Sequence, residues 1–519
     1  MKNSTLKEDL LRNNFSLKET HISLVFLGDS WVYKIKKPVY LGFLDFTTLE
    51  ARLAACQSEI TLNSRLAPDI YKKLVPVTWT SKDGHQLGGS GEIVDWAVQM
   101  VRLSDKNSAE AMIQRGELQH AHIKMLADKL TDFHSSCRAD RDKQRFGNIK
   151  AIEYNVRENF QQTRSTGPKH LDIHQIKIIT DFQLNFLQQQ HELFEQREKN
   201  GHIRDGHGDL RLEHVYFAEN LLHIIDCIEF NDRFRYADVC SDIAFLCMDL
   251  TFHNRADLSD YLLGCYAGST FDYDLYRLID FYMSYRAYTR AKVTSMLEEQ
   301  EDLPEDFRQH LHSEARKYFL LAEASSSPPL QQPFLIVIFG IIASGKSTLA
   351  EMLSHITGAP VLSGDRTRKH KAGVSATTSL ANTPYSGAYD EEMTTRVYQT
   401  LYRHADMVLG SQRPAIIDAT CSKVEQRKQF RKLAEIHNIR LLMVECTVSQ
   451  EKCRKRLLER ETKPGISDAR LNILESFMAN YERPGELPED IFLQLNTDSG
   501  TETVENLATS VLNRLQQSG

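Results

Sequence analysis

No CxxC pair occurs among the nine cysteines (Cys56, Cys137, Cys227, Cys240, Cys247, Cys265, Cys421, Cys446 and Cys453), so neither a zinc ribbon nor a dithiol redox motif is expected. Scattered and odd in number, they are expected to be buried thiols in a reducing compartment. Nothing approaches the ~18 consecutive apolar residues of a bilayer-spanning helix. Met1 to Leu10 contains no apolar secretory core either, and the expected location is the cytoplasm, away from membranes. Positive charge is not in excess: the formal net charge is −7, which gives no global footprint for nucleic acid while leaving room for a local basic groove. No internal repeat is present, and low complexity is confined to Ala324–Pro333, with three serines and three prolines.

What is present is ordinary globular composition, 41% hydrophobic and 26% charged over 519 residues, enough for two to four domains. The Ser/Pro stretch interrupts helical periodicity just before a strongly apolar strand, which places a linker at 325–333. Before it, residues 1–105 are expected to form a small strand-rich lobe. Val32-Tyr33-Lys34-Ile35-Lys36 alternates as a strand should, and a helix is expected around Glu50–Leu66. Residues 106–324 are expected to be mainly helical, broken by a strand-loop-strand block near 207–230. A further domain is expected over 334–519.

That last domain opens on Leu335-Ile336-Val337-Ile338-Phe339, a run suited to a parallel strand buried on both faces, followed by Gly340-Ile341-Ile342-Ala343-Ser344-Gly345-Lys346-Ser347 and the helix-forming Thr348-Leu349-Ala350. Strand, glycine-framed loop and helix are the setting in which backbone amides cradle phosphates. Gly340, Ala343, Ser344, Gly345, Lys346, Ser347 and Thr348 are the expected nucleotide contacts, with Lys346 reaching the β/γ-phosphates and the Ser347 hydroxyl on Mg²⁺. Asp365, with Arg368 three residues on, follows a short strand and could deprotonate an acceptor hydroxyl or simply cap a helix. Asp418 ends the buried strand Ala415-Ile416-Ile417 and suits the metal's water shell. Arg456 and Arg460, at i and i+4, project from one helix face, and Ile466–Arg470 follows a Gly-containing turn.

Over about Phe334–Met478 these motifs resemble the small P-loop kinases, a group that includes gluconate kinases, zeta-toxin-like kinases and the kinase domain of polynucleotide kinase. The resemblance implies that Asp365 is the acceptor-side base, that Arg368 lies in the acceptor pocket, that Asp418 lies near the metal and that Arg456 and Arg460 belong to a lid.

Upstream, Asp205-Gly206-His207-Gly208-Asp209 and Leu221–Phe230 set Asp209 and Asp226 at the ends of two short apolar segments, where one could take a proton and the other hold Mg²⁺. With the two-lobe pattern, this resembles the aminoglycoside phosphotransferase and protein-kinase-like fold, in the version fused to a P-loop kinase. The implied fold is an α+β two-lobe kinase-like domain followed by an α/β P-loop domain with a parallel sheet. By the same likeness Lys34 meets nucleotide phosphates, Glu59 holds Lys34, Met100 lies in the hinge segment Ala97–Leu103, Asp209 is the base and Asp226 binds Mg²⁺. Period-two alternation alone leaves Lys34 and Lys36 equivalent. Two departures stand out. There is no GxGxxG, only Phe26–Ser30, and His214 occupies the position five after Asp209 where the fold usually has a metal-binding Asn. Mg²⁺ prefers oxygen, so the imidazole is a poor substitute.

The expected activity is transfer of the ATP γ-phosphoryl group to hydroxyls of small molecules from two sites. A 5′-hydroxyl nucleic-acid kinase in the C-terminal domain is the less favoured alternative. A nucleotide-sensing stress protein with an inactive N-terminal domain is the third reading. Aminoglycosides are polycations, whereas the candidate acceptor helix Tyr282–Lys292 carries Arg286 and Arg290.

Overall fold

The computed structural model describes residues 2–42, 44–137, 140, 142–218, 221–301, 303–329, 332–375, 378, 390–461, 474–498 and 502–517. The chain divides into two units, Met1–Asn254 with Phe281–Ala324, and Arg255–Asp280 with Ser325–Gly519. No described helix is long and apolar enough to cross a membrane.

The first unit begins with a six-stranded antiparallel sheet of β1 (Ser16–Glu19), β2 (Ser23–Leu27), β3 (Trp31–Lys36), β4 (Tyr71–Thr80), β5 (Gly84–Leu87) and β6 (Glu92–Val101), in the order β1-β2-β3-β6-β4-β5. Alternation along β3 sends Ile35 into a core with Phe26, Val77 and Ala97, and Val32 into one with Cys56, Val98 and Met100. The helix Leu49–Asn63 covers that second face, its N-terminus capped by the Thr48 hydroxyl, which accepts from the Ala51 amide at 3.1 Å. Lys34 and Lys36 share a strand face with Val32 and so meet this helix. Its Glu59 is fully buried. The rest of the unit is mainly helical, with two small ribbons, β7 (Ile203–Asp205) against β10 (Tyr236–Asp238) and β8 (Val215–Ala218) against β9 (Leu221–Ile224).

The second unit carries an all-parallel sheet of β11 (Phe334–Phe339), β12 (Val361–Ser363), β13 (Ala415–Asp418), β14 (Arg440–Thr447) and β15 (Phe492–Asn496), ordered β12-β13-β11-β14-β15. Every residue of β11 is buried. Ile336 and Ile338 pack with Leu349 and Leu353 of the helix Lys346–Thr357 and with Val511 and Leu515 of the helix Glu502–Gln517.

One assignment differs from the sequence reading, which kept 1–324 as one domain: Arg255–Asp280 clusters with the P-loop unit. Gly264 of the helix Ala256–Thr270 approaches Pro360 so closely that an added Cβ would lie 3.2 Å from its Cα, and Tyr261 Oη is 3.1 Å from His355 Nε2. The polar anchor is Arg413. Its guanidinium donates twice to Asp280, at 2.6 and 3.1 Å, and once to Asp260 at 3.3 Å. Arg413→Met would strand two carboxylates whose side chains are about a third exposed, so water takes up part of the loss. The expected cost is about 2 kcal/mol, a fall of ~4–8 °C in the melting midpoint of this unit, readable by calorimetry. An unchanged midpoint would mean that Arg413 does not anchor the segment.

The cysteines divide as well. Seven of the nine are buried, while Cys137 and Cys265 are only half-buried.

Candidate functional site

The P-loop is shaped by positions that only particular backbones fill. Gly340 has φ +134°, and a Cβ there would lie 2.4 Å from the Cys446 carbonyl oxygen. Gly345 has φ +89° and precedes the helix directly, while Ala343 adopts φ 57°, costly for a residue with a Cβ. Two side chains outside the loop hold its carbonyls. Thr497 Oγ1 donates to Ser344 O at 2.6 Å, and Arg456 donates to Ala343 O at 3.1 Å, Thr497 Oγ1 at 3.3 Å and Thr497 O at 2.6 Å. The geometry thus gives Arg456 a bracing contact on the loop, where a lid arginine was expected. The side chain of Arg460, and the whole of Ile466–Arg470, lie outside the described residues.

Lys346 is buried and donates to Ile341 O at 2.7 Å, with Ser344 Oγ at 3.5 Å. Ser347 and Thr348 are exposed at the helix start, and Ser347 Oγ donates to Asp418 Oδ2 at 2.7 Å. Asp418 is buried at the end of β13. Burial pushes its carboxyl up to about 6, Lys346 and the Ser347 hydroxyl pull it back, and Asp365 and Glu351 push it up further. Asp365 is half-buried in the first turn of the helix Gly364–Lys371. Its alternative role as that helix's N-cap belongs to Ser363, whose hydroxyl accepts from Arg366 N at 3.4 Å. Arg368 donates to Thr394 Oγ1 at 3.3 Å. Lys346, Ser347, Asp418 and Asp365 therefore share one electrostatic neighbourhood.

In the first unit, Lys34 Nζ lies 2.9 Å from Glu59 Oε1 and is ion-paired with Asp226. Lys36 sits deeper, 2.6 Å from Glu59 Oε2 and paired with Glu229. One glutamate thus serves both lysines, and of the two it is Lys34 that meets Asp226. Burial would pull Lys34 down, but the Asp226 and Glu59 carboxylates more than offset this and hold it well above the usual lysine range. Asp226 has φ 66°, a strained conformation for a side chain with a Cβ, and its amide donates to the Tyr71 hydroxyl at 3.1 Å. His214 Nε2 is 3.7 Å from Asp226 Oδ2, and His214 Nδ1 is 2.8 Å from Asp209 O and 3.9 Å from Asp209 Oδ2. Lys34, Glu59, Asp226, His214 and Asp209 thus form one connected group. Met100, on β6, packs with Val32 and Tyr71 behind it.

By the kinase-like resemblance Asp242 is expected to brace the loop that carries Asp209, whereas Arg211 and Asp249 escaped sequence reasoning. Arg211 Nε donates to Asp209 Oδ1 at 3.1 Å. Burial would raise Asp209, but Arg211, His214 and Arg290 hold its carboxyl well below the usual range. Asp242 accepts from the His207 and Gly208 amides at 2.7 and 3.0 Å, and Asp249 accepts from Leu212 N at 2.8 Å, so two carboxylates of the helix Val239–Phe252 fix the loop from below. Arg286 turns inward, donating to Ser241 Oγ at 3.1 Å over the Phe245 ring. The only available signal for Arg211 was its place two residues after Asp209.

Residues 335–484 match the family described as an AAA domain. Uncharacterized proteins of Mycobacterium tuberculosis and Mycobacterium bovis are 31% identical over 463 residues, which cover 89% of this chain and 89% of theirs. The chain belongs to the family of these mycobacterial proteins. Among solved structures, a putative kinase from Chloroflexus aurantiacus is similar over 36% of this chain and 99% of its own, with 21% identity and a TM-score of 0.28. A gluconokinase from Sinorhizobium meliloti is similar over 36% and 96%, with 19% identity and a TM-score of 0.26. The GDP complex of an aminoglycoside 2′-phosphotransferase is similar over 58% and 91%, with 14% identity and a TM-score of 0.37.

Proposed function

We propose that the chain is an ATP-dependent phosphotransferase that transfers the γ-phosphoryl group to a hydroxyl of a small molecule at its P-loop unit, with a second, kinase-like nucleotide site in the first unit. The observation that carries the first half is the Ser347–Asp418 hydrogen bond beside Lys346 at the mouth of a braced glycine loop. In this reading loop amides and Lys346 grip the phosphates. Asp365 takes the acceptor proton and Arg368 lies on the acceptor side.

Ser347 and Asp418 offer hard oxygen donors, and a buried carboxyl pushed up to about 6 fits a place completed by a cation. Mg²⁺ held there would neutralise charge on the β- and γ-phosphates. The first unit fits Mg²⁺ less well. Asp226 is already neutralised by Lys34, and His214 presents nitrogen where oxygen would serve. These two observations favour, as a second reading, a first unit that binds nucleotide with little turnover.

The proposal is tested by incubating the chain with ATP, Mg²⁺ and a metabolite extract and searching by mass spectrometry for compounds that gain one phosphoryl group. No gain in any compound would remove the small-molecule reading. Labelled oligonucleotide that binds and is released steeply by salt would point instead to a nucleic-acid acceptor.

A pH dependence follows from Asp418. Because its folded pKa lies above the ordinary 3.8, its contribution to folding is fully present below about 3.8 and is lost as pH rises through about 6. Cation binding needs the carboxylate and has the opposite sign. Mg²⁺-dependent nucleotide affinity should therefore fall by up to ~tenfold per pH unit below about 6, and Asp418→Asn should flatten that profile. A wild-type affinity that stays constant from pH 7 to 5 would contradict this.

A further inference from the structure

Outside both nucleotide sites, the first unit gathers two histidines and a glutamate that phosphoryl transfer does not use. His170 follows the short turn Gly167–Lys169, Glu298 ends the helix Leu275–Glu298 and His312 lies on the helix Glu305–Ala324. One ligand atom from each, all three atoms within 4.8 Å of one another, can be directed at a common point. His312 Nδ1 is 3.0 Å from Glu298 Oε1, and His170 Nε2 is 3.3 Å from Glu298 Oε2. The two imidazole rings lie 4.6 Å apart at 31°.

The decisive feature is His170. It is only 2% exposed, yet neither of its ring nitrogens makes a well-directed hydrogen bond among the described residues; Glu298 Oε2 at 3.3 Å and the His312 backbone are its nearest polar neighbours. Burying unsatisfied polar atoms is unfavourable, so such a ring in a protein interior needs an explanation. Among the described residues, the neighbouring Lys and Arg side chains are engaged away from the Glu298 carboxylate. Lys169 pairs with Glu299, while Arg308 and Arg316 donate to the backbone oxygens of Glu298 and His170.

We propose that His170, Glu298 and His312 bind a divalent transition-metal ion of the zinc class, with a fourth position open to water. Two imidazoles and a carboxylate suit such an ion far better than Mg²⁺ or Ca²⁺, which prefer all-oxygen shells. Tetrahedral bonds of ~2.0–2.2 Å set ligand atoms about 3.3–3.5 Å apart, so separations of 3.0 to 4.8 Å would close on an ion with rotamer-scale shifts. The ion would tie the turn at His170 to two helices joined by the connection 299–304.

The test uses the full chain, stripped of metal by a chelator and free of nucleotide. Titration with Co²⁺ alone is expected to give one equivalent with the visible absorption of tetrahedral coordination, displaced by Zn²⁺, and Zn²⁺ is expected to raise the melting midpoint. His312→Ala, whose side chain is 44% exposed in the wild type and which should therefore fold, is expected to weaken binding at least ~10–100-fold, as is Glu298→Gln. Asp418→Asn should leave the titration unchanged and so separate it from the P-loop. Absence of saturable Co²⁺ and Zn²⁺ binding would overturn the proposal and leave a hydrogen-bonded cluster only. Equal binding by wild type, His312→Ala and His170→Asn would overturn it too, by placing the metal elsewhere.

Discussion

Lys346→Ala is expected to lower ATP turnover at the P-loop by ~10²–10³-fold, the effect of removing one well-placed charge donor from a site where negative charge develops. Lys346 is only 9% exposed, and its ammonium donates to Ile341 O with Ser344 Oγ close by. Little reorganisation is then needed to meet a phosphate, and this preorganisation is what alanine removes. The loop itself should survive, because its carbonyls are held by Thr497 and Arg456 and its turn by Gly340 and Gly345. Nucleotide affinity should accordingly fall less than turnover. Steady-state phosphate release measured in an Asp209→Asn background isolates this site, and turnover there that survives Lys346→Ala would sink the assignment.

How much of this was legible in the sequence depended on how local the cause was. The P-loop was legible because its glycines answer to backbone geometry within eight residues, and Asp418 because a buried apolar strand that ends in a carboxylate is a local pattern. The small β-rich lobe was legible through the alternation in β3. By contrast, helical spacing could say that Arg456 and Arg460 share a face, not that Arg456 would spend its guanidinium on loop carbonyls. Likewise period two put Lys34 and Lys36 on one face, but only the tertiary fold shows Glu59 shared between them, with Glu229 taking Lys36 and Asp226 taking Lys34. The assignment of Arg255–Asp280 to the P-loop unit was hidden because the division falls inside the helix Leu275–Glu298, where no Gly/Pro-rich stretch marks it. The cluster of His170, Glu298 and His312 was hidden for a related reason. Its members have no motif spacing and meet only through helix packing.

Asp209→Asn, made in the Lys346→Ala background, is expected to remove ~10²–10⁴-fold of whatever turnover the first unit contributes, the usual worth of a positioned proton acceptor, while nucleotide binding persists. The substitution keeps the shape. Arg211, which loses one carboxylate partner, retains Glu213, and the hydrogen bond of His214 Nδ1 with residue 209 is to the backbone carbonyl, although its longer ion-pair contact with the carboxylate is lost. The loop remains fixed by Asp242 on the His207 and Gly208 amides. A change in rate would therefore report the carboxylate and not a collapsed loop. The same double variant discriminates the two readings of this unit. Turnover in Lys346→Ala alone that Asp209→Asn abolishes makes the first unit a kinase. Two bound nucleotides per chain with no turnover in Lys346→Ala make it a sensor, as the Lys34-neutralised Asp226 and the nitrogen of His214 favour. Turnover in Lys346→Ala that is unaffected by Asp209→Asn would deny Asp209 the role of base.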